Sequence, residues 1–113
     1  AWKKADVILF TVAEDLIDFG ETISPEFAEQ VQMQARNALD TAKIEAKTLG
    51  ADAKAVLELA SSPADAILTF AAKEKVDLIV MGSRAKSGLD RFLIGSVASK
   101  VVSHASCSVL VIR

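Results

Sequence analysis

Short apolar runs punctuate the chain. Residues 5–12 contain Val7, Ile8, Leu9, Phe10 and Val12; residues 76–81 contain Val76, Leu78, Ile79, Val80 and Met81; the chain closes on Val109, Leu110, Val111 and Ile112. None of the three alternates with polar residues as a strand with one wet face would, so all three predict strands buried on both faces. A fourth strand fits 54–59, where Glu58 among Val56, Leu57 and Leu59 faces water or an edge. Between these runs the apolar spacing changes from two to three and four. Ser24-Pro25-Glu26 is a helix start, with Ser as N-cap, Pro at the first helical position and an acid at the positive end of the dipole. Its stripe runs Phe27, Val31, Ala35, Ala38, Leu39, Ala42, Ala46, Leu49 until Gly50 closes it.

Ser62-Pro63-Ala64-Asp65 repeats the same start signal before Ile67, Leu68, Phe70 and Ala71, and Gly95-Ser96 opens a third helix running to His104. The acidic stretch 14–21 contains Gly20 and reads as a surface loop, with a short helical turn available through Leu16, Ile17 and Phe19. The order is strand, helix, strand, helix, strand, loop, helix, strand. Each helix is long enough for a right-handed crossover, so the expected fold is one α/β domain over 1–113, an open parallel sheet with helices on both faces.

Composition narrows the class of ligand. With 113 residues, 51% hydrophobic and 25% charged, the chain can build a core; a net charge of −2 with scattered Lys and Arg argues against nucleic acid. No run approaches the ~20 residues of a membrane span and no leader opens the chain. The single cysteine, Cys107, forms no disulfide framework, which points to a reducing, cytoplasmic setting. A small molecule is the expected partner.

Chemistry concentrates after the third strand. Residues 82–96 carry Gly, Ser, Arg and Lys between a buried strand and a helix start, an arrangement that presents unpaired backbone N–H groups to an anion. Neither a G-x-x-x-x-G-K-[ST] loop nor a G-x-G-x-x-G fingerprint is present. His104 is better read as a helix-end cation than as a base, and Cys107 as a small buried hydrophobe rather than a reactive thiol. No His and Cys occur at metal-ligand spacing, and Glu14, Asp15, Asp18 and Glu21 form a solvated loop. Nothing in the sequence points to a catalytic engine.

The stretch from Met81 through Gly82-Ser83-Arg84-Ala85 to Gly95-Ser96-Val97 resembles the nucleotide loop of the universal stress protein family: a Gly, two residues, a Gly, nine residues, then Gly-Ser or Gly-Thr. The likeness continues through 108–113 and back through Ser62-Pro63 to 6–12. It implies an adenine-nucleotide site, ATP foremost, with Mg only alongside ATP. Gly82, Gly95 and Ser96 would hold phosphate with Arg84 nearby, Val97 would add an N–H, and Val12 and Met81 would line the adenine and ribose. It further implies a non-enzymatic stress-response regulator; the alternatives are a dimerising module that binds no nucleotide, or a weak ATPase.

Two departures from the family stand out. Ala85 replaces the second Gly, and its methyl crowds the phosphate or strains a positive φ. Family members also begin with a strand and helix, whereas this chain opens at Ala1-Trp2-Lys3-Lys4 without Met, where that helix would end. The strands over 7–12 and 76–81 are then left with open edges, so either the sequence is a fragment, incomplete at its N-terminus, or the sheet closes up or borrows a strand from a partner. The last strand, 108–113, has Ser106 and Ser108 where the family often has prolines, and it predicts a homodimer paired through that edge.

Overall fold

A computed structural model describes residues 6–14, 25–83 and 95–112. The elements follow the expected alternation: β1 (Ile8–Glu14), α1 (Pro25–Thr48), β2 (Lys54–Ala60), α2 (Pro63–Lys73), β3 (Leu78–Gly82), α3 (Ser96–His104) and β4 (Ser108–Ile112). The acidic stretch after Glu14, the Ser24 cap, Arg84, Ala85 and Arg113 lie outside the described residues. The chain divides into two compact units, Ala1–Ser61 and Ser62–Arg113.

In the first unit β1 and β2 run parallel, from Ile8 opposite Lys54 to Glu14 opposite Ala60, and α1 packs on both strands. Val31, Ala35, Leu39, Ala42 and Ala46 turn inward, Leu39 being the buried one. Three members of the expected stripe do not: Phe27, Ala38 and Leu49 are exposed, and Ala28 is half-buried instead. Ala38 sits mid-helix on the edge of the stripe, beside the buried Leu39; for Phe27 and Leu49 the reason is length. A helix of 24 residues extends about 36 Å, whereas strands of seven residues extend about 23 Å, so the helix ends overrun the sheet. Gly50 ends α1 as expected, at φ 91°, with Gly50 N–H donating to Lys47 O (3.0 Å) and Ala51 N–H to Ala46 O (2.8 Å).

In the second unit Ser62 caps α2: its backbone is extended (φ −122°, ψ 104°), its hydroxyl accepts from Asp65 N–H at 3.4 Å, and Pro63 follows at the first helical position. α2 and α3 pack together, and their buried residues are Ala64, Ala66 and Ala71 on one and Ala98 and Val101 on the other. Side chains this small let two helices approach closely. At the surface Lys100 Nζ reaches Asp65 Oδ1 at 2.9 Å. That hydrogen bond, with a second from the Ser62 hydroxyl and the Lys100 charge, holds the Asp65 carboxyl below its ordinary 3.8.

β3 and β4 are parallel, from Leu78 opposite Ser108 to Gly82 opposite Ile112, and Ser83 N–H extends the ladder to Ile112 O at 3.0 Å. The expectation that both would be buried on two faces does not hold. Ile79, Met81, Val109 and Val111 are half-buried, but Leu78, Val80, Leu110 and Ile112 remain 50–55% exposed. α3 can cover only one face of the pair. Among the described residues the strands form two parallel two-stranded ladders, β1–β2 in the first unit and β3–β4 in the second.

Leu39→Ala should lower the unfolding free energy by about 2–4 kcal/mol in urea melts, because it empties a buried site, while Leu49→Ala, 86% exposed in the wild type, should stay within about 0.5 kcal/mol. For Asp65, a depressed folded-state value means that its contribution is present above 3.8 and is lost as pH falls through the lowered value. An NMR titration should place its midpoint below 3.8 and show it rising in Lys100→Ala; a midpoint that ignores the substitution would remove Lys100 as the cause.

Candidate anion site at the start of α3

The geometry follows from the crossover. Because β3 and β4 are parallel, α3 must carry the chain back along them, and its first residue therefore starts at the carboxyl end of β3. Ligands of open α/β sheets bind in that place. Gly82 is the last residue of β3. Its backbone needs no positive φ, and among the described residues a Cβ there would meet Ile112 O at 3.9 Å, an ordinary contact. The described fold does not demand a glycine at this position, and the missing side chain leaves its peptide open to approach.

The same holds at Gly95, the N-cap of α3. Its dihedrals, φ −64° and ψ 160°, are extended values that any residue adopts, and it offers no side-chain cap. The first pairing inside the helix is Ser99 N–H to Gly95 O at 2.9 Å, so the helix itself provides no partner for the N–H groups of Ser96, Val97 and Ala98. α2, by contrast, has both a capping hydroxyl and Asp65 in its first turn, and α1 has Glu26. α3 has no acid in its first turn. The partial positive charge of a helix start, about half a unit, is thus not met by any side chain of α3's own. Ser96 is exposed, Val97 is half-buried, and Ala98 and Val101 (2% and 0% exposed) anchor the inner side of the helix. A buried helix foot with an open first turn can receive a phosphate without moving.

Gly82 ends β3, and Gly95, Ser96 and Val97 form the start of α3, all in the second unit. Met81 is half-buried on β3, beside them in sequence. Val12 is half-buried on β1, in the other unit. Arg84 and Ala85 fall outside the described residues. Sequence reasoning missed Ala98, whose N–H completes the first turn, and the Asp65–Lys100 pair, which engages the lysine of α3. The first was legible from helix geometry once the start was placed; the second joins residues 35 positions apart and left no local signal.

His104 is exposed at the last residue of α3, where its Nδ1–H donates to Lys100 O at 2.9 Å, the arrangement of a helix-end side chain. Cys107 is half-buried and free. Among the described residues no three His, Cys, Asp or Glu side chains gather as a metal site, and no helix is long and apolar enough to cross a membrane.

The sequence model of the universal stress protein family matches residues 1–113. A universal stress protein of Thermus aquaticus is 39% identical over 90 residues, which are 79% of this chain and 65% of that protein. The chain spans less than two thirds of the length of the curated relatives it matches. Among solved structures, MJ0577, a universal stress protein of Methanocaldococcus jannaschii, superposes with a TM-score of 0.83 at 29% identity, covering 99% of this chain and 78% of that one. A universal stress protein solved in complex with cAMP shares the fold, with a TM-score of 0.69 at 24% identity over 96% of this chain and 77% of that one. With a family match over its whole length and this α/β architecture, the chain belongs to the universal stress protein family.

Proposed function

We propose that this domain is an adenine-nucleotide-binding regulator of the stress response, with ATP as its ligand and no catalytic turnover. The observation that carries the reading is the first turn of α3, which has neither a side-chain cap nor an acid and lies beyond the carboxyl end of β3. Phosphate oxygens accept from the N–H groups of Ser96, Val97 and Ala98 and from the Ser96 hydroxyl, and charge-assisted bonds of this kind contribute roughly 1.5–3 kcal/mol each. Gly82 and Gly95 keep the approach free of side chains. Backbone amides and a hydroxyl hold an anion without providing a base, in keeping with a sensor. Mg accompanies the ligand only as a counterion of the triphosphate. The cAMP complex of a family member supports nucleotide as the ligand class.

Because the Gly95 backbone suits a β-branched residue, Gly95→Val separates folding from binding. Calorimetry should show ATP affinity reduced at least tenfold, which is about 1.4 kcal/mol, while the circular dichroism spectrum shows the fold retained. Ala85→Gly should tighten binding. Equal affinity in wild type and both variants would refute the site.

A second reading concerns the partner. Since Ile112 O accepts from Ser83 N–H, Ser108, Leu110 and Ile112 turn their peptide groups toward β3, while Val109 and Val111 turn theirs to the opposite edge. No described strand occupies that edge, and 108–112 has no charge or proline to protect it. We propose that two copies pair there, antiparallel. Val111→Pro removes an outward N–H without touching the β3 ladder, so sedimentation should report a dimer for wild type and a monomer for the variant. A wild-type monomer at tens of micromolar would end the idea.

A further inference from the structure

We propose that Lys100 is a further phosphate contact of the site at the start of α3, and that Asp65 governs its strength by competing with phosphate for the lysine. The inference rests on the nucleotide reading and adds a cation to it. Lys100 stands four residues after Ser96, about 6 Å farther along the helix axis and on the same face. Long side chains on a helix lean back over the turn that precedes them, so a lysine at 100 covers the turn that begins at Ser96. Ser96 and Ser99, both small and exposed, put no bulky side chain in its way. His104, the other basic residue of α3, stands about 12 Å beyond Ser96 and binds Lys100 O, so it does not serve in the lysine's place.

In the structure Lys100 is turned to Asp65 instead, with Nζ 2.9 Å from Oδ1 across the contact between α2 and α3. Both side chains stand in solvent, at 45% and 60% exposure, and a pair so placed contributes little to stability. It is therefore easily exchanged. Nor does Asp65 depend on the lysine. It occupies the first turn of α2, beside the partial positive charge of that helix start, and its carboxyl also accepts from the Ser62 hydroxyl. A carboxylate supported in two other ways releases a lysine without being left bare. The lysine, a flexible four-carbon stem with three rotatable donors, exchanges a single carboxylate charge for the higher charge of a phosphate.

The rival reading makes the pair a clasp between two helices and nothing more. The two readings differ in sign. If Asp65 withholds Lys100, Asp65→Asn releases it and ATP binds more tightly; if the pair is only a clasp, loosening it leaves affinity the same or lowers it.

Calorimetry with ATP at low ionic strength, on the full-length protein, tests this. Asp65→Asn should raise affinity by about threefold or more, and Lys100→Gln should lower it by about fivefold or more. Added to Lys100→Gln, Asp65→Asn should change affinity by less than about twofold, because its effect passes through the lysine. By NMR, the carboxyl carbon resonance of Asp65 should shift when ATP saturates the wild type and stay in place in Lys100→Gln. An affinity unmoved or lowered by Asp65→Asn, or an Asp65 resonance indifferent to ATP, would overturn this proposal while leaving the nucleotide site standing. A wild type that binds no ATP would overturn both.

Discussion

A parallel pair of strands cannot be joined by a tight turn, because the chain must travel back the length of the strand before it can pair again. The rest of the described structure depends on this constraint. It sets a helix between β1 and β2 and another between β3 and β4, orients each against its strands, and brings the start of α3 to the carboxyl end of β3. The candidate site is therefore a consequence of connectivity before it is a matter of side chains. What the residues add is permission: glycines at 82 and 95 whose backbones did not require them, and a first turn with no acid to compete for the amides.

Fixing that helix start in place falls to small side chains. The fully buried residues of α2 and α3 are four alanines and one valine, side chains small enough to let the two helices approach closely. Val101 is fully buried one turn and a half beyond Ser96, and Ala98 is buried within the first turn. An anion site made of backbone dipoles functions only if those dipoles stay aimed, and a helix foot pinned in this way keeps its aim. The Asp65–Lys100 pair lies across the same two helices at the surface. In solvent it contributes little to stability, but it places a carboxylate on the one cation that α3 carries near this end.

The incomplete layering of β3 and β4 belongs to the same logic. A crossover covers one face only, and the hand of the crossover chooses which. The proposed nucleotide site at the strand end and the exposed apolar face of β3 and β4 are thus separate features of one unit: the first uses peptide groups at the start of α3, the second the side chains along the strands.

Much of this was legible in the sequence because the signals were local. Ser62-Pro63 with Asp65 marked the start of α2 and Gly50 the end of α1, and each acts within a turn of its own position. The alternation of apolar runs with helical spacing gave the element order, and the glycine spacing from Gly82 to Gly95-Ser96 located the candidate site, although Arg84 and Ala85 lie outside the described residues. What the sequence did not contain was partnership. Leu78 and Leu110 have the same apolar character as Ile79 and Val109, yet one pair is half exposed and the other half-buried, because coverage depends on which face a distant helix takes. Phe27 and Leu49 kept the spacing of the α1 stripe but overran the sheet beneath it, and Asp65 met Lys100 only through the packing of two helices. Composition and periodicity decide which residues can be buried; only the tertiary arrangement supplies the surface that buries them.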